Sequence, residues 1–320
     1  MLNEDKRIPL PVVAAIRRIG DDTRSGAAEI LGNAVEVFSL LTTAPQNKTG
    51  IDAARHTVLA VCVALAEAQP LMAPLLNLAS HVMTNANRAT HTGEMMMIAE
   101  ASARGFVQRA TRAAQATIAH TLELISAGAT VLTHSRSSTV LAALLGAHRA
   151  GRRLHVIATE SRPLCEGRAL AEALASRGIR VTLIADAAAA LAVKRADVVL
   201  FGADRITPED LVNKIGTRLI ALAARECGIR VIALCDTSKF TTSKFTAVWP
   251  TASEADRGRD QLWPDAPPQV EIVNPYFEPT PIDYFTGIVT EDGWLAPQEA
   301  SRRAAQQSIN QSLLAALGNT

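Results

Sequence analysis

From Pro9 to about Ala127, apolar residues recur at helical spacing and no strand-like run interrupts them. Val12, Ile16 and Ile19 fall on one face. Ile30, Leu31, Ala34, Val35 and Phe38 mark the next amphipathic stretch, with Ser25 placed to cap it. Pro45–Gly50 has loop composition. The spacing then predicts helices over Ile51–Ala68, Pro74–Asn87 and Thr92–Ser126. The last of these carries Met96, Ile98, Phe106, Val107, Ile118, Leu122 and Ile125 on its apolar side, and the three methionines Met95, Met96 and Met97 read as core filling. Residues 1–127 are therefore expected to form a helical domain.

The period changes at Gly128. Short apolar runs at Ala129–Leu132, Leu154–Ala158, Ile179–Ile184, Asp197–Phe201 and Arg230–Leu234 read as buried strands. They alternate with helical patterns at Val140–Ala150, Gly167–Ser176, Ala187–Val193 and about Val212–Glu226. This alternation implies βαβ units and an α/β fold: a Rossmann-like parallel sheet over residues 128–320. Phe240–Pro268, with Trp249 and Trp263, is loop-rich; Val270–Val273 is a candidate last strand and Pro297–Leu317 a closing helix.

Polar residues gather where the strands end, and open α/β sheets bind ligands at those ends. Thr133–Ser138 follows the first strand, Thr159–Pro163 the second, Asp186 the third, Gly202–Arg205 the fourth and Cys235–Phe240 the fifth. Turn formation alone accounts for the Gly, Ser and Asp residues, but does not call for His134, Arg162, Arg205 and Lys239 as well. Asp204 is a candidate acid or base. Asn213 and Lys214 read as opening the next helix, where an amide and an ammonium could hold a phosphate. A net charge of +1 and the lack of basic tracts give no case for nucleic acid or a membrane surface. The four cysteines are scattered without a C-x-x-C pair, which reads as a reducing, cytoplasmic setting without a metal cluster.

The strings THSRSSTV (133–140), ATESRPLCEGRALAEAL (158–174), GADRITPEDLVNKIGT (202–217), DTSKF (236–240) and NPYFEPTPIDYFTGIVTEDG (274–293) stand in the order and spacing of a known family. The chain resembles the superfamily that joins the alpha, beta and delta subunits of translation initiation factor 2B to isomerases of methylthioribose 1-phosphate and ribose 1,5-bisphosphate. The resemblance implies a helical domain followed by a Rossmann-like one, homo-oligomers built on the C-terminal domains, a phosphorylated small molecule as ligand, and no metal or redox cofactor. It places Asp204 on the catalytic Asp of the isomerases and Ser135 where they carry a catalytic Cys. It places Gly26, Ala27, Glu166, Asn213 and Lys214 at the family's ligand-binding positions and leaves Arg24 near the ligand, and the chain shares Ser137 with the factor subunits. The polar strand ends themselves add Arg136, Arg205, His134, Arg162 and Lys239 as ligand candidates; for the last three a structural role stands beside it, with His134 packing, Arg162 bracing the loop before Pro163 and Lys239 holding its own turn.

The chain departs from the isomerase pattern in ways that matter chemically. A thiol titrates near pH 8.5, whereas a serine hydroxyl at position 135 is a far weaker acid. Glu166 stands where the isomerases carry Gln, and a carboxylate beside a phosphate repels it unless a cation or a hydroxyl intervenes. The Thr207–Asp210 loop lacks their Asn-Gly, and Arg24 lies one place before the Ser25-Gly26-Ala27 step. Three readings follow, in this order. The first is an initiation-factor-2B-like binder of a sugar phosphate or nucleotide with little or no turnover. The second is an aldose–ketose isomerase. The third is an assembly subunit with a vestigial site, against which the retained charges count.

Overall fold

The computed structural model describes residues 7–22, 25–44, 50–243 and 259–318. Arg24 and Trp249 lie outside the described residues. The chain divides into two compact units, drawn from Met1–Arg112, Ser238–Trp249 and Gln306–Thr320, and from Ala113–Thr237 and Pro250–Ala305.

The first unit is helical. It contains α1 (Leu10–Asp21), α2 (Ala27–Thr43), α3 (Ile51–Ala68), α4 (Ala73–Ala86) and the first part of α5 (Thr92–Leu124). Its core takes Val12, Ile16 and Ile19 from α1, Ile30, Ala34 and Phe38 from α2, and Val58, Val61 and Leu65 from α3. These positions share one face of each helix because side chains three and four apart lie together. Ser25 does not cap α2. Gly26 occupies the cap position, and the Ser25 N–H instead donates to Asp22 Oδ1 at 2.8 Å. Met95 and Met96 fill the core as expected, but Met97 points outward and is 60% exposed.

The second unit is built on a seven-stranded sheet. In chain order it adds β1 (Thr130–Thr133), α6 (Ser138–Arg149), β2 (His155–Thr159), α7 (Glu166–Ala175), β3 (Arg180–Ile184), α8 (Ala189–Val193) and β4 (Val198–Phe201). Next come β5 (Arg205–Ile206), β6 (Asp210–Lys214), α9 (Thr217–Glu226) and β7 (Arg230–Leu234). β8 (Phe277–Pro281), β9 (Gly287–Thr290), β10 (Gly293–Leu295) and α10 (Pro297–Ala305) follow. The strand order is β10-β9-β7-β4-β1-β2-β3, parallel throughout except for β10. The chain grows outward from β1 to β3 and then returns to lay β4 on the other side of β1. This reversal is the topological switch point of a doubly wound sheet. A small antiparallel sheet, β5-β6-β8, accompanies it.

Three further local expectations fail. The helix expected from Val212 starts only at Thr217, because Asp210–Lys214 forms the middle strand of the small sheet. Asn213 and Lys214 therefore sit on a strand, not at a helix N-terminus. Val270–Val273 joins neither sheet: the Val270 N–H donates to the Pro267 carbonyl at 2.9 Å, and Val273 lies exposed. The closing helix is two helices, α10 and α11 (Gln311–Leu317). Asn310 breaks the run by capping α11, with its Oδ1 accepting from Ser312 and Leu313 N–H.

Candidate functional site

The loops after β1 and β4 flank the switch point, and Gly202 shows how closely they pack. A Cβ on Gly202 would lie 2.6 Å from both Cβ and Oγ of Ser137. Only a residue without a side chain lets β4 end there. Ser137 is the cap of α6, with its Oγ accepting from the Val140 N–H at 3.3 Å. Ser135 and Asp204, both half-buried, lie two residues from this contact in their respective loops. The Asp204 N–H donates to the Val212 carbonyl at 2.9 Å, tying the β4 loop to β6.

A chain of buried polar groups fixes the β1 loop. His134 is 2% exposed. Its Nε2 lies 2.7 Å from the Ile215 carbonyl, so Nε2 carries the proton and donates. Nδ1 then accepts from the Thr159 hydroxyl at 2.6 Å. Burial drives the His134 pKa down to about 4, only partly offset by the bond to Ile215 and the charge of Asp186. The imidazole is thus neutral at pH 7. Ser161 Oγ stands 3.1 Å from Thr159 Oγ1 and accepts from the Ser135 N–H at 2.7 Å. Asp186 in turn accepts from the N–H groups of Ser161 and Arg162, each at 2.7 Å. Ser135, Ser161 and Cys165 all hold left-handed backbones, with φ of 64°, 65° and 59°. Such strain persists where surrounding bonds over-determine it and gathers at functional sites.

The small sheet presents the cations. Arg205 faces Val212 across β5–β6, so Arg205 and Lys214 project from one face. Lys214 Nζ lies 2.7 Å from Glu166 Oε1 and 4.7 Å from the centre of the Tyr276 ring. Arg205 is 5% exposed, and its Nε and Nη1 have no hydrogen-bond partner among the described residues. Burial holds its guanidinium below the usual value, with Asp210 pulling the other way. Asn213 donates to Thr217 Oγ1 at 2.9 Å, and Thr217 donates to the Lys214 carbonyl at 2.7 Å, which braces the turn behind Lys214. At the start of α9, Glu278 Oε1 accepts from the N–H groups of Gly216 and Arg218 at 2.7 and 2.9 Å.

Ser135, Ser137, His134, Asp204, Arg205, Asn213, Lys214 and Glu166 all belong to the second unit, as do the exposed Arg136 and Arg162. Gly26, Ala27 and Lys239 belong to the first unit, where Asn77 holds the neighbouring segment through the carbonyls of Ser238 and Phe240. Sequence reasoning did not single out Ser161, Thr217, Tyr276 or Glu278 as site residues. Their roles depend on strand register and chain return, for which no local signal exists.

A model of the initiation factor 2 subunit family matches residues 23–297. The chain belongs to this family. Among its relatives, a ribose 1,5-bisphosphate isomerase of Archaeoglobus fulgidus is 39% identical over 177 residues, covering 55% of this chain and 56% of that protein. A methylthioribose-1-phosphate isomerase of Heliobacterium modesticaldum is 39% identical over 191 residues, 55% of each chain. The match thus spans little more than half the length of these isomerases. The crystal structure of the translation initiation factor eIF-2B of Pyrococcus horikoshii superposes with a TM-score of 0.76 at 30% identity, covering 90% of this chain and 98% of the other. The family thus holds both initiation-factor-2B-like proteins and sugar-phosphate isomerases, and the expected fold of helical region and Rossmann-like sheet is present.

Proposed function

We propose that the switch-point edge of the second unit takes a phosphorylated sugar and supports an aldose–ketose isomerisation in which Asp204 carries the proton. The observation behind this reading is the close packing of Gly202 on Ser137, which draws the Asp204 and Ser135 loops together at the switch point. Arg205, whose Nε and Nη1 have no partner among the described residues, supplies positive charge for an anionic group, and Lys214 stands nearby with Glu166 as its counter-ion. The two isomerase relatives at 39% identity move this reading ahead of the non-catalytic binder. Isomerisation transfers hydrogen between adjacent carbons, so one group must remove a proton and another must attend the oxygen. Asp204 suits the first role. Ser135 is a weak acid in the second, and loss of one positioned acid–base group typically slows a reaction by 10²–10⁴-fold. Turnover is accordingly slow.

The test is NMR observation of aldose consumption and ketose appearance with ribose 1,5-bisphosphate and methylthioribose 1-phosphate. Wild type converts at least one of them, Asp204→Asn does not, and Ser135→Cys is faster. The second reading, an initiation-factor-2B-like binder without turnover, draws on Ser135 and on the near full-length match to the Pyrococcus protein. It prevails if ligands raise the melting temperature while no ketose forms.

A further inference from the structure

Glu166 is the first residue of α7 and is placed by the β2–α7 junction. A Cβ on the next residue, Gly167, would stand 1.8 Å from the Thr159 carbonyl oxygen, so the first turn of α7 sits directly on the end of β2. This fixes Glu166 opposite Lys214 rather than leaving it on a mobile arm. The pair is sheltered, with the Lys214 side chain 3% and the Glu166 side chain 20% exposed. Lys214 has the carboxylate at 2.7 Å and the Tyr276 ring at 4.7 Å. Glu166 Oε2 is buried and has no hydrogen-bond partner among the described residues. A buried carboxylate oxygen without a donor is costly, and native structures retain such groups where another state satisfies them.

We propose that Glu166 is the specificity-determining residue of this site: an internal counter-ion to Lys214 that makes it select a sugar monophosphate bearing free hydroxyls over a sugar bisphosphate. The inference rests on the sugar-phosphate reading above. With Glu166 in place, the Lys214–Glu166 pair contributes no net charge. A second phosphate brought to Lys214 meets a carboxylate in a sheltered setting, where like charges are poorly screened. A hydroxyl donates to that same carboxylate and satisfies the oxygen that now has no donor. The one group therefore favours the hydroxyl and disfavours the phosphate.

Calorimetric titration of wild type, Glu166→Gln and Glu166→Asp with ribose 1-phosphate and ribose 1,5-bisphosphate at fixed ionic strength tests this. Wild type binds the monophosphate at least tenfold more tightly. Glu166→Gln, which removes the charge and keeps the shape, shrinks that ratio at least tenfold. Glu166→Asp, which keeps the charge, retains the preference. An unchanged ratio in Glu166→Gln overturns the assignment while leaving the sugar-phosphate site standing. If the Gln variant does not fold, wild type alone decides, because a bisphosphate bound as tightly as the monophosphate overturns it. Binding of neither sugar by any of the three removes the sugar-phosphate reading itself, and this inference with it.

Discussion

His134 is a neutral imidazole spanning three segments, and its environment sets a pH signature. Its pKa is about 4 in the folded protein, against 6.5 for an unperturbed histidine. The unfolded chain therefore binds a proton that the folded chain refuses. Its contribution is fully present above about pH 6.5 and is lost as pH falls towards 4, a loss of about 3 kcal/mol for a shift of this size. Urea unfolding at pH 7 and pH 4.5 should show wild type losing about 2 kcal/mol more than His134→Gln over that interval. Equal losses would mean that His134 does not titrate across folding. At this scale the sequence marked candidates. His134 and Asp204 stood out as reactive residue types following apolar runs, Ser135 through the family resemblance, and Asn213 and Lys214 as an amide and an ammonium side by side. Asp186 was visible only as a turn residue. Its role in holding Ser161 and Arg162 depends on the β2–β3 register, which pairs Thr159 with Ile184.

Among the elements, the parallel strands were legible because strands buried on both faces are nearly continuous runs of Val, Ile and Leu. β6 was not. Leu211, Ile215 and Leu219 stand four apart and mimic one face of a helix. Gly216, with φ of 104°, breaks that continuity, so the strand ends before it and α9 begins after it. A Cβ there would also stand 3.1 Å from the His134 ring. The N-terminus of α9 is then closed by Glu278, a carboxylate placed against unpaired N–H groups and the positive end of the helix dipole. Glu278→Ala should lower unfolding stability by about 1–2 kcal/mol, and Glu278→Gln by less, in denaturant titrations. An unchanged midpoint in the Ala variant would show that this cap adds nothing. The same contact fills the first turn of α9 with a carboxylate, so those amides are not open to another anion.

For the molecule as a whole, the aromatic segment after Pro275 serves mainly the chain's own interior. Phe285 meets Phe201 edge-on at 6.3 Å, and the Trp294 ring fills the space above Gly287. Trp294 nevertheless keeps an exposed edge, and further exposed apolar residues lie on the neighbouring helices α8 and α9, at Leu191, Leu219 and Leu222. Exposed apolar patches of this kind favour association. Light scattering at micromolar concentration should give at least twice the 34.0 kDa chain mass, and Leu219→Lys with Leu222→Lys should reduce it. A wild type that stays monomeric would refute this. The division of the chain has a further consequence, for the order of synthesis. Ile309, Leu313 and Leu317 complete the core of the helical unit whose other helices precede the sheet. On a ribosome, that unit emerges early yet lacks part of its interior until the segment carrying α11 follows the whole sheet out of the exit tunnel. The first unit to appear is thus among the last to be finished, and its exposed apolar surface must be tolerated or shielded for most of translation.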